Sequence, residues 1–338
     1  MRCGTTIPHN QRGEPRTAHT HRQRAEDAAR QRRPRHRHGR HPRLGLARPH
    51  GSRGEHRGAL RHPARPRRHG GDALGGRHRR AAQGQGCDPV SPQGKVIIVT
   101  GAAGNLGRVI GDALQAQGAI VVAWDRDAQA LETLQREQPA RTCLACDLTD
   151  EAQVAHALAE TVKVHGRVDG LVNNAGLIHN TLLFNMMGGD QRRHSLADWH
   201  RVVDANLTST FVATSHVVEH MAMTRTKGVI VNISSIAAGG NAGQSAYAAA
   251  KAGVESLTVT WARELGAMGI RVVAIAPGFV DTESTRRALS EAVIADLTRR
   301  TPLRRLVAPK SIAQAVLFAL QDDDLSGVVL PLDGGLRI

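Results

Sequence analysis

From Val96 onward, short apolar runs alternate with longer stretches whose apolar residues recur at helical spacing. Residues 96–100, 119–124, 142–146, 168–173, 229–234, 271–275 and 328–332 are rich in Val, Ile, Leu and Ala and read as strands. Several are apolar at nearly every position, which predicts strands covered on both faces. Between them, residues 104–117, 128–138, 151–165, 196–223, 245–265 and 310–320 read as helices, and 284–300 as mostly helical. Strict alternation of this kind implies right-handed βαβ crossovers. The expected fold is α/β: a doubly wound parallel sheet of about seven strands with helices on both faces, in one domain over residues 91–338. No internal repeat is visible. No apolar run approaches the roughly 18 residues of a membrane span, so no membrane partner is expected.

The first ninety residues share none of this order. They hold 22 arginines, no lysine, six acids and no Phe, Tyr or Trp, a formal charge of +16. The remainder has 23 basic and 24 acidic residues, so its charge is −1. The pI of 11.1 therefore reports on the N-terminal segment alone. Seven scattered apolar residues without period cannot bury enough area to offset ordering entropy, and disorder is expected. Three readings compete. A basic arm would contact nucleic-acid phosphates, without lysines or stacking aromatics to make it specific. A targeting peptide would be unusually long and serine-poor. The favoured reading is GC-rich DNA translated upstream of the true start or out of frame. No specific nucleic-acid partner is expected.

Cys143 and Cys146 form a C-x-x-C, but within a strand-like run where i and i+3 face opposite sides. The other two cysteines, Cys3 and Cys87, lie in the N-terminal segment, so no second ligand pair exists. They read as small core residues in a reducing, cytoplasmic setting, with no metal.

Chemistry concentrates elsewhere. Tyr247 is the only tyrosine, and Lys251, one of five lysines, follows four residues later. On a helix these share one face. A phenol beside an ammonium makes a proton donor and acceptor, because the charge favours phenolate and lowers the phenol pKa from about 10. The first strand runs into Thr100-Gly101-Ala102-Ala103-Gly104-Asn105-Leu106-Gly107. Glycines there let a pyrophosphate approach backbone N–H groups at a helix N-terminus. Asp125 ends the second strand, 24 residues after Gly101. A carboxylate there accepts from a ribose hydroxyl and repels a 2′-phosphate, although Arg126 beside it is able to swing toward one. The alternative for Asp125 is a cap for the following helix.

With these motifs in hand, residues 94–335 resemble the short-chain dehydrogenase/reductase family. The glycine loop, Asp147-Leu148, Asn173-Asn174-Ala175-Gly176, Asn206, Ser234-Ser235, Tyr247-x-x-x-Lys251, Pro277-Gly278 with Thr282, and Asp333-Gly334-Gly335 match in order. One departure is the glycine pattern, which has Gly104 and Asn105 where relatives commonly place the second glycine at the later position. The resemblance implies a Rossmann-type dinucleotide site. Its cofactor residues would be Gly101, Gly104, Asn105, Leu106, Gly107, Asp125, Asp147, Leu148, Asn174, Ala175, Gly176, Tyr247, Lys251, Pro277, Gly278, Val280 and Thr282. It implies hydride transfer between a nicotinamide and a carbonyl or carbinol carbon. Tyr247 would be the general acid/base and Ser235 would hold the substrate oxygen, with Ser234 bonded to backbone. Lys251 would bind the nicotinamide ribose, and Asn206 would hold a water linking Lys251 to solvent.

The segment 234–254 is most similar to that of 3-oxoacyl-carrier-protein reductases, which commonly use NADPH. Asp125 points the other way, so NAD(H) is favoured over NADP(H). The expected substrate is a small carbonyl or secondary alcohol, with an acyl thioester as the leading class and a sugar, polyol or steroid alcohol as the alternative. A non-catalytic dinucleotide sensor or nucleic-acid binder is the alternative of another kind. Residues 177–195, with Leu182, Leu183, Phe184, Met186 and Met187, are expected to wall the pocket or to contact another subunit. Residues 281–305 are expected to form a lid. Its three arginine pairs, 286–287, 299–300 and 304–305, would either meet substrate phosphates or lie on a solvated helix face. Similar proteins form homodimers or homotetramers through the long helices 196–223 and 245–265.

Overall fold

The computed structural model describes residues 91–338. The expectation for residues 1–90 lies outside the described residues. In chain order the elements are β1 (Val96–Thr100), α1 (Asn105–Ala116), β2 (Ile120–Asp125), α2 (Ala128–Glu137), β3 (Thr142–Ala145), α3 (Glu151–His165) and β4 (Gly170–Asn173). Then follow α4 (Leu196–Val203), α5 (Ser209–Met223), β5 (Gly228–Ile233), α6 (Ser245–Leu265), β6 (Ile270–Pro277), α7 (Glu283–Ala288), α8 (Glu291–Arg300), α9 (Pro309–Gln321) and β7 (Val328–Leu332).

All seven strands pair in parallel, in the order β3-β2-β1-β4-β5-β6-β7. The chain winds outward from β1 in one direction, then crosses back to β4 and winds in the other. Loops leaving the carboxyl ends of β1 and β4 diverge there and leave a crevice, where open α/β sheets take ligands.

The continuous apolar character of β1 has a simple cause. Ile97 and Val99 pack with Ile110 and Leu114 of α1 and with Ile312 and Val316 of α9. Val96 and Ile98 pack on the opposite face with Val154 of α3, Val217 and Met221 of α5, and Trp261 of α6. Each fully buried aliphatic side chain of this kind contributes about 1.5–3 kcal/mol. That is several times a per-residue helix propensity, so packing sets the helix positions. Where caps are written in the sequence, the helix ends agree with it. Asp150 accepts from Ala152 N and Gln153 N, and Gly166 closes α3 at φ 75°.

Three departures from the expected elements matter. The single helix expected over 196–223 carries a π turn, Asp204–Thr208, between α4 and α5. The helix expected over 284–300 breaks into α7 and α8, because the Ser290 side chain accepts from Val293 N and starts a new helix. Strand β2 begins one residue later, at Ile120, and ends as expected at Asp125, which pairs with Ala145.

The two cysteines face opposite sides, as their spacing requires. Cys143 packs against one core cluster and Cys146 belongs to the other. Both are free thiols. Burial, helped by Asp147 and Asp150, pushes the Cys146 thiol up to about 12. Among the described residues no group of three or more His, Cys, Asp or Glu is placed to hold a metal. No helix among them is long and apolar enough to cross a membrane.

Candidate active site

The glycine loop is held by Thr100. Its Oγ1 donates to Val172 O and accepts from Asn174 N and Ala175 N, so the ends of β1 and β4 are tied together. Gly101 has φ 61°, and a Cβ there would lie 2.9 Å from Ala175 Cα. A Cβ on Gly107 would meet Gly101 O at 2.2 Å. Both positions therefore exclude side chains, and α1 begins hard against the loop. Gly104 precedes α1 and no side chain caps this helix. Its first N–H groups stay open, next to the positive end of the helix dipole. An uncapped helix start of this kind fits an anionic group, and it is formed by the residues the sequence singled out.

At the tip of β2, Asp125 Oδ2 accepts from Ala103 N at 3.0 Å and Oδ1 from Asp127 N at 3.1 Å. The helix-cap alternative falls to its neighbour, since Asp127 accepts from Ala130 N and starts α2. Asp125 instead braces the glycine loop and lines the cavity. Asp147 is ordered by Thr149 N and Thr149 Oγ1 beside the buried Leu148.

The residues expected to handle protons lie just after β5 and on α6. Tyr247 sits in the first turn of α6 and is 8 % exposed, while Lys251, one turn later, is 4 % exposed. Lys251 Nζ lies 5.7 Å from the Tyr247 ring centroid and donates to Ile233 O at 2.8 Å. Burial lowers Lys251 to about 8. The expectation that this ammonium depresses the phenol is corrected. Burial pushes the Tyr247 phenol up, and a hydrogen bond with the Ser235 side chain works only partly against it. A phenolate loses more by leaving water than this hydrogen bond returns, and the ammonium is aimed at a backbone carbonyl.

Asn206 occupies the π turn and is wholly buried. Its Nδ2 donates to Leu177 O and Val202 O, both at 2.8 Å, and its Oδ1 accepts from Leu177 N at 3.3 Å. One lone pair of the amide oxygen remains. A Cβ on Gly176 would fall 2.6 Å from that oxygen and 3.6 Å from Lys251 Nζ. Glycine here keeps a gap between the two groups.

All the residues expected to bind cofactor or handle protons line one cavity of about 670 Å³. Three further expectations are refined. Ser234 has the expected backbone bonds, from its N to Ile275 O at 2.7 Å and from its hydroxyl to Lys251 O at 3.4 Å, but the hydroxyl also has a nearer acceptor, Glu255 Oε1 at 2.9 Å. In the segment 177–195, Leu177 and Ile178 line the cavity, but Leu182 through Met187 do not. Those apolar residues stand in solvent, Met187 at 92 % exposure. The lid arginines are largely engaged internally. Arg286 holds Asp281 through two bonds, Arg287 pairs with Glu283, and Arg299 and Arg300 meet Asp296. That favours the solvated-face reading.

Two residues escaped the sequence reading. Gln244 lines the cavity and donates to Asn180 Oδ1, fastening the 177–195 segment. Glu255 sits one turn beyond Lys251 on the same face of α6, a spacing visible in the sequence but unread.

A family model described as enoyl-(acyl carrier protein) reductase matches residues 101–337. The chain is 38 % identical over 253 residues to the 3-oxoacyl-[acyl-carrier-protein] reductase FabG of Thermotoga maritima, covering 73 % of this chain and 99 % of that protein. It is 37 % identical over 254 residues to the protein of that name in Pseudomonas aeruginosa, with 73 % and 99 % covered. It is 35 % identical over 255 residues to the short-chain reductase protein NovJ of Streptomyces niveus, covering 72 % of this chain and 94 % of that protein. Seven parallel strands, a crevice at their carboxyl ends and matches of this length have one explanation: the chain belongs to the short-chain dehydrogenase/reductase family of NAD(P)-dependent oxidoreductases.

Proposed function

We propose that the protein interconverts a ketone and a secondary alcohol, with a 3-oxoacyl thioester as the ketone and NAD(H) as the favoured cofactor. The observation that carries this is the meeting of Tyr247, Ser235 and Lys251 around the cavity that the glycine loop opens into. The dinucleotide, when bound, supplies or accepts the hydride. The open N–H groups of α1 would hold its pyrophosphate, Asp125 its adenosine ribose, Lys251 its second ribose, and Pro277, Gly278, Val280 and Thr282 its nicotinamide end.

The protein's own part is the proton. Tyr247 donates to the carbonyl oxygen in reduction and accepts from the alcohol in oxidation. Ser235 hydrogen-bonds the same oxygen and so favours the charge that develops on it. A phenol held up by burial suits the donor role, which accords with reduction. Lys251 replaces the proton through a water held between its Nζ and the free lone pair of Asn206 Oδ1.

The acyl-thioester assignment is supported by the names of the FabG relatives and by the Leu177 and Ile178 wall. The NAD assignment is supported by the Asp125 carboxylate at the cavity edge, where a 2′-phosphate would meet like charge. Residues 91–338 form the catalytic domain, distinct from residues 1–90, and act in the cytoplasm. The exposed Phe211 and Met223 of α5 fit pairing of this helix with a second copy, in a homodimer or homotetramer.

The test is Tyr247→Phe. It keeps the ring and its packing and removes only the hydroxyl. With a 3-oxoacyl thioester and NADH, turnover falls by at least about 10²-fold while dinucleotide affinity stays at the parent value. Near-parent turnover in this variant would remove the mechanism.

A further inference from the structure

Two adjacent serines end β5, and only one is able to face the phenol. We propose that Glu255 is the positioning residue that decides which. By taking the Ser234 hydroxyl, it fixes the strand end so that Ser235 Oγ stands against Tyr247.

The geometry is a double stitch between β5 and α6. Lys251 Nζ donates to Ile233 O at 2.8 Å, and the next residue, Ser234, donates to Glu255 Oε1 at 2.9 Å. Lys251 and Glu255 are one turn apart on α6, so consecutive strand residues are gripped by consecutive turns of one helix. Ser234 is 2 % exposed, and its single proton goes to the nearer, charged acceptor rather than to Lys251 O at 3.4 Å. Ser234 is the one side-chain partner Glu255 has among the described residues. Ser235 is then left in extended backbone, its Oγ accepting from Ala237 N at 3.2 Å and its hydroxyl proton free for Tyr247 or for a substrate oxygen. Without the carboxylate, the buried Ser234 hydroxyl must seek another acceptor, and the strand end turns with it. A displacement of about 1 Å at a reacting group costs up to about 10²-fold in rate.

This inference rests on the assignment of Tyr247 and Ser235 made above, and the experiment separates the two. Tyr247→Phe, Glu255→Leu, Glu255→Gln, Ser234→Ala and the double variant Ser234→Ala/Glu255→Leu are compared for kcat, KM, dinucleotide Kd by fluorescence titration, and Tm. Glu255→Leu and Ser234→Ala each lower kcat about tenfold, with KM and Kd within about twofold of the parent. Glu255→Gln, which keeps an acceptor at the same reach, stays within about twofold of the parent in kcat. The double variant is no slower than either single one, because both remove the same bond. Glu255→Leu at parent kcat, Glu255→Gln as slow as Glu255→Leu, or a double variant slower by the product of the single effects each overturns the proposal. If Glu255→Leu does not fold, Ser234→Ala and Glu255→Gln decide it by the same criteria. If Tyr247→Phe keeps parent turnover, the site assignment itself fails. If Tyr247→Phe is inactive and Glu255→Leu is not slowed, only the positioning role fails.

Discussion

Gly176→Ala tests the gap between Asn206 and Lys251 with one methyl group. The new Cβ would stand 2.6 Å from Asn206 Oδ1, and ordinary contact begins at 3.4 Å, so the amide has to retreat by about 0.8 Å. Asn206 has little room, being wholly buried with Nδ2 bonded at 2.8 Å to both Leu177 O and Val202 O. The contact from Leu177 N to Oδ1, already 3.3 Å, is lost. Losing one buried bond and straining two costs about 1–3 kcal/mol, which in a domain of this size lowers Tm by roughly 2–12 °C. The methyl group also lies 3.6 Å from Lys251 Nζ, in the space a relay water would use. Turnover therefore falls about tenfold or more, beyond what the lower stability explains. The assay pairs calorimetry with steady-state turnover at the reduced-nicotinamide band. Gly266→Ala is the control, since nothing lies within 4 Å of its Cβ and its backbone is helical. Parent Tm and parent kcat in Gly176→Ala would show that the gap is not used. A fall in Tm with kcat unchanged would confine Asn206 to a structural role.

Two other outcomes follow from the same site. Lys251 is held near 8 when folded, below its ordinary 10.5, so the unfolded chain binds more protons between those values. Its contribution to stability is therefore poorest below pH 8 and improves as pH rises through that window. Urea unfolding of parent and Lys251→Met, at about pH 7 and about pH 9.5, gives the parent the more positive pH slope; equal slopes would contradict burial of a titrating ammonium. Asp125→Ala lowers the ratio of NADH to NADPH efficiency by about tenfold. It also raises KM for NADH, because Ala103 N loses its acceptor. If NADPH already outperforms NADH in the parent, the assignment to NAD is wrong.

Much of the site was legible because its motifs are local. The Thr100–Gly107 segment announces a strand, a turn and an uncapped helix within eight residues, and the Tyr247–Lys251 spacing places two side chains on one helical face wherever that helix packs. Asp150 and Gly166 mark both ends of α3. What escaped was decided between distant residues. The π turn at Asp204–Thr208 exists because Asn206 reaches across to Leu177, 29 positions away, and no helical period contains that demand. The apolar run Leu182–Met187 reads as a pocket wall or a subunit contact, and the segment's attachment at Gly243 and Gln244 leaves its tip in solvent, away from the pocket.

The sequence by itself determined the alternation of strands and helices, the glycine turn before α1 and the placing of Tyr247 and Lys251 on one helical face, because each is set by short-range periodicity or by backbone freedom at a glycine. Only the tertiary structure decided the direction of the pKa shifts and the partner that the Ser234 hydroxyl takes. The direction of the Tyr247 and Lys251 shifts comes from the depth at which α6 is buried against β5, and the bond from Ser234 to Glu255 forms across that same packing. Desolvation and long-range hydrogen bonds depend on what surrounds a group in space, and a one-dimensional spacing does not carry that information.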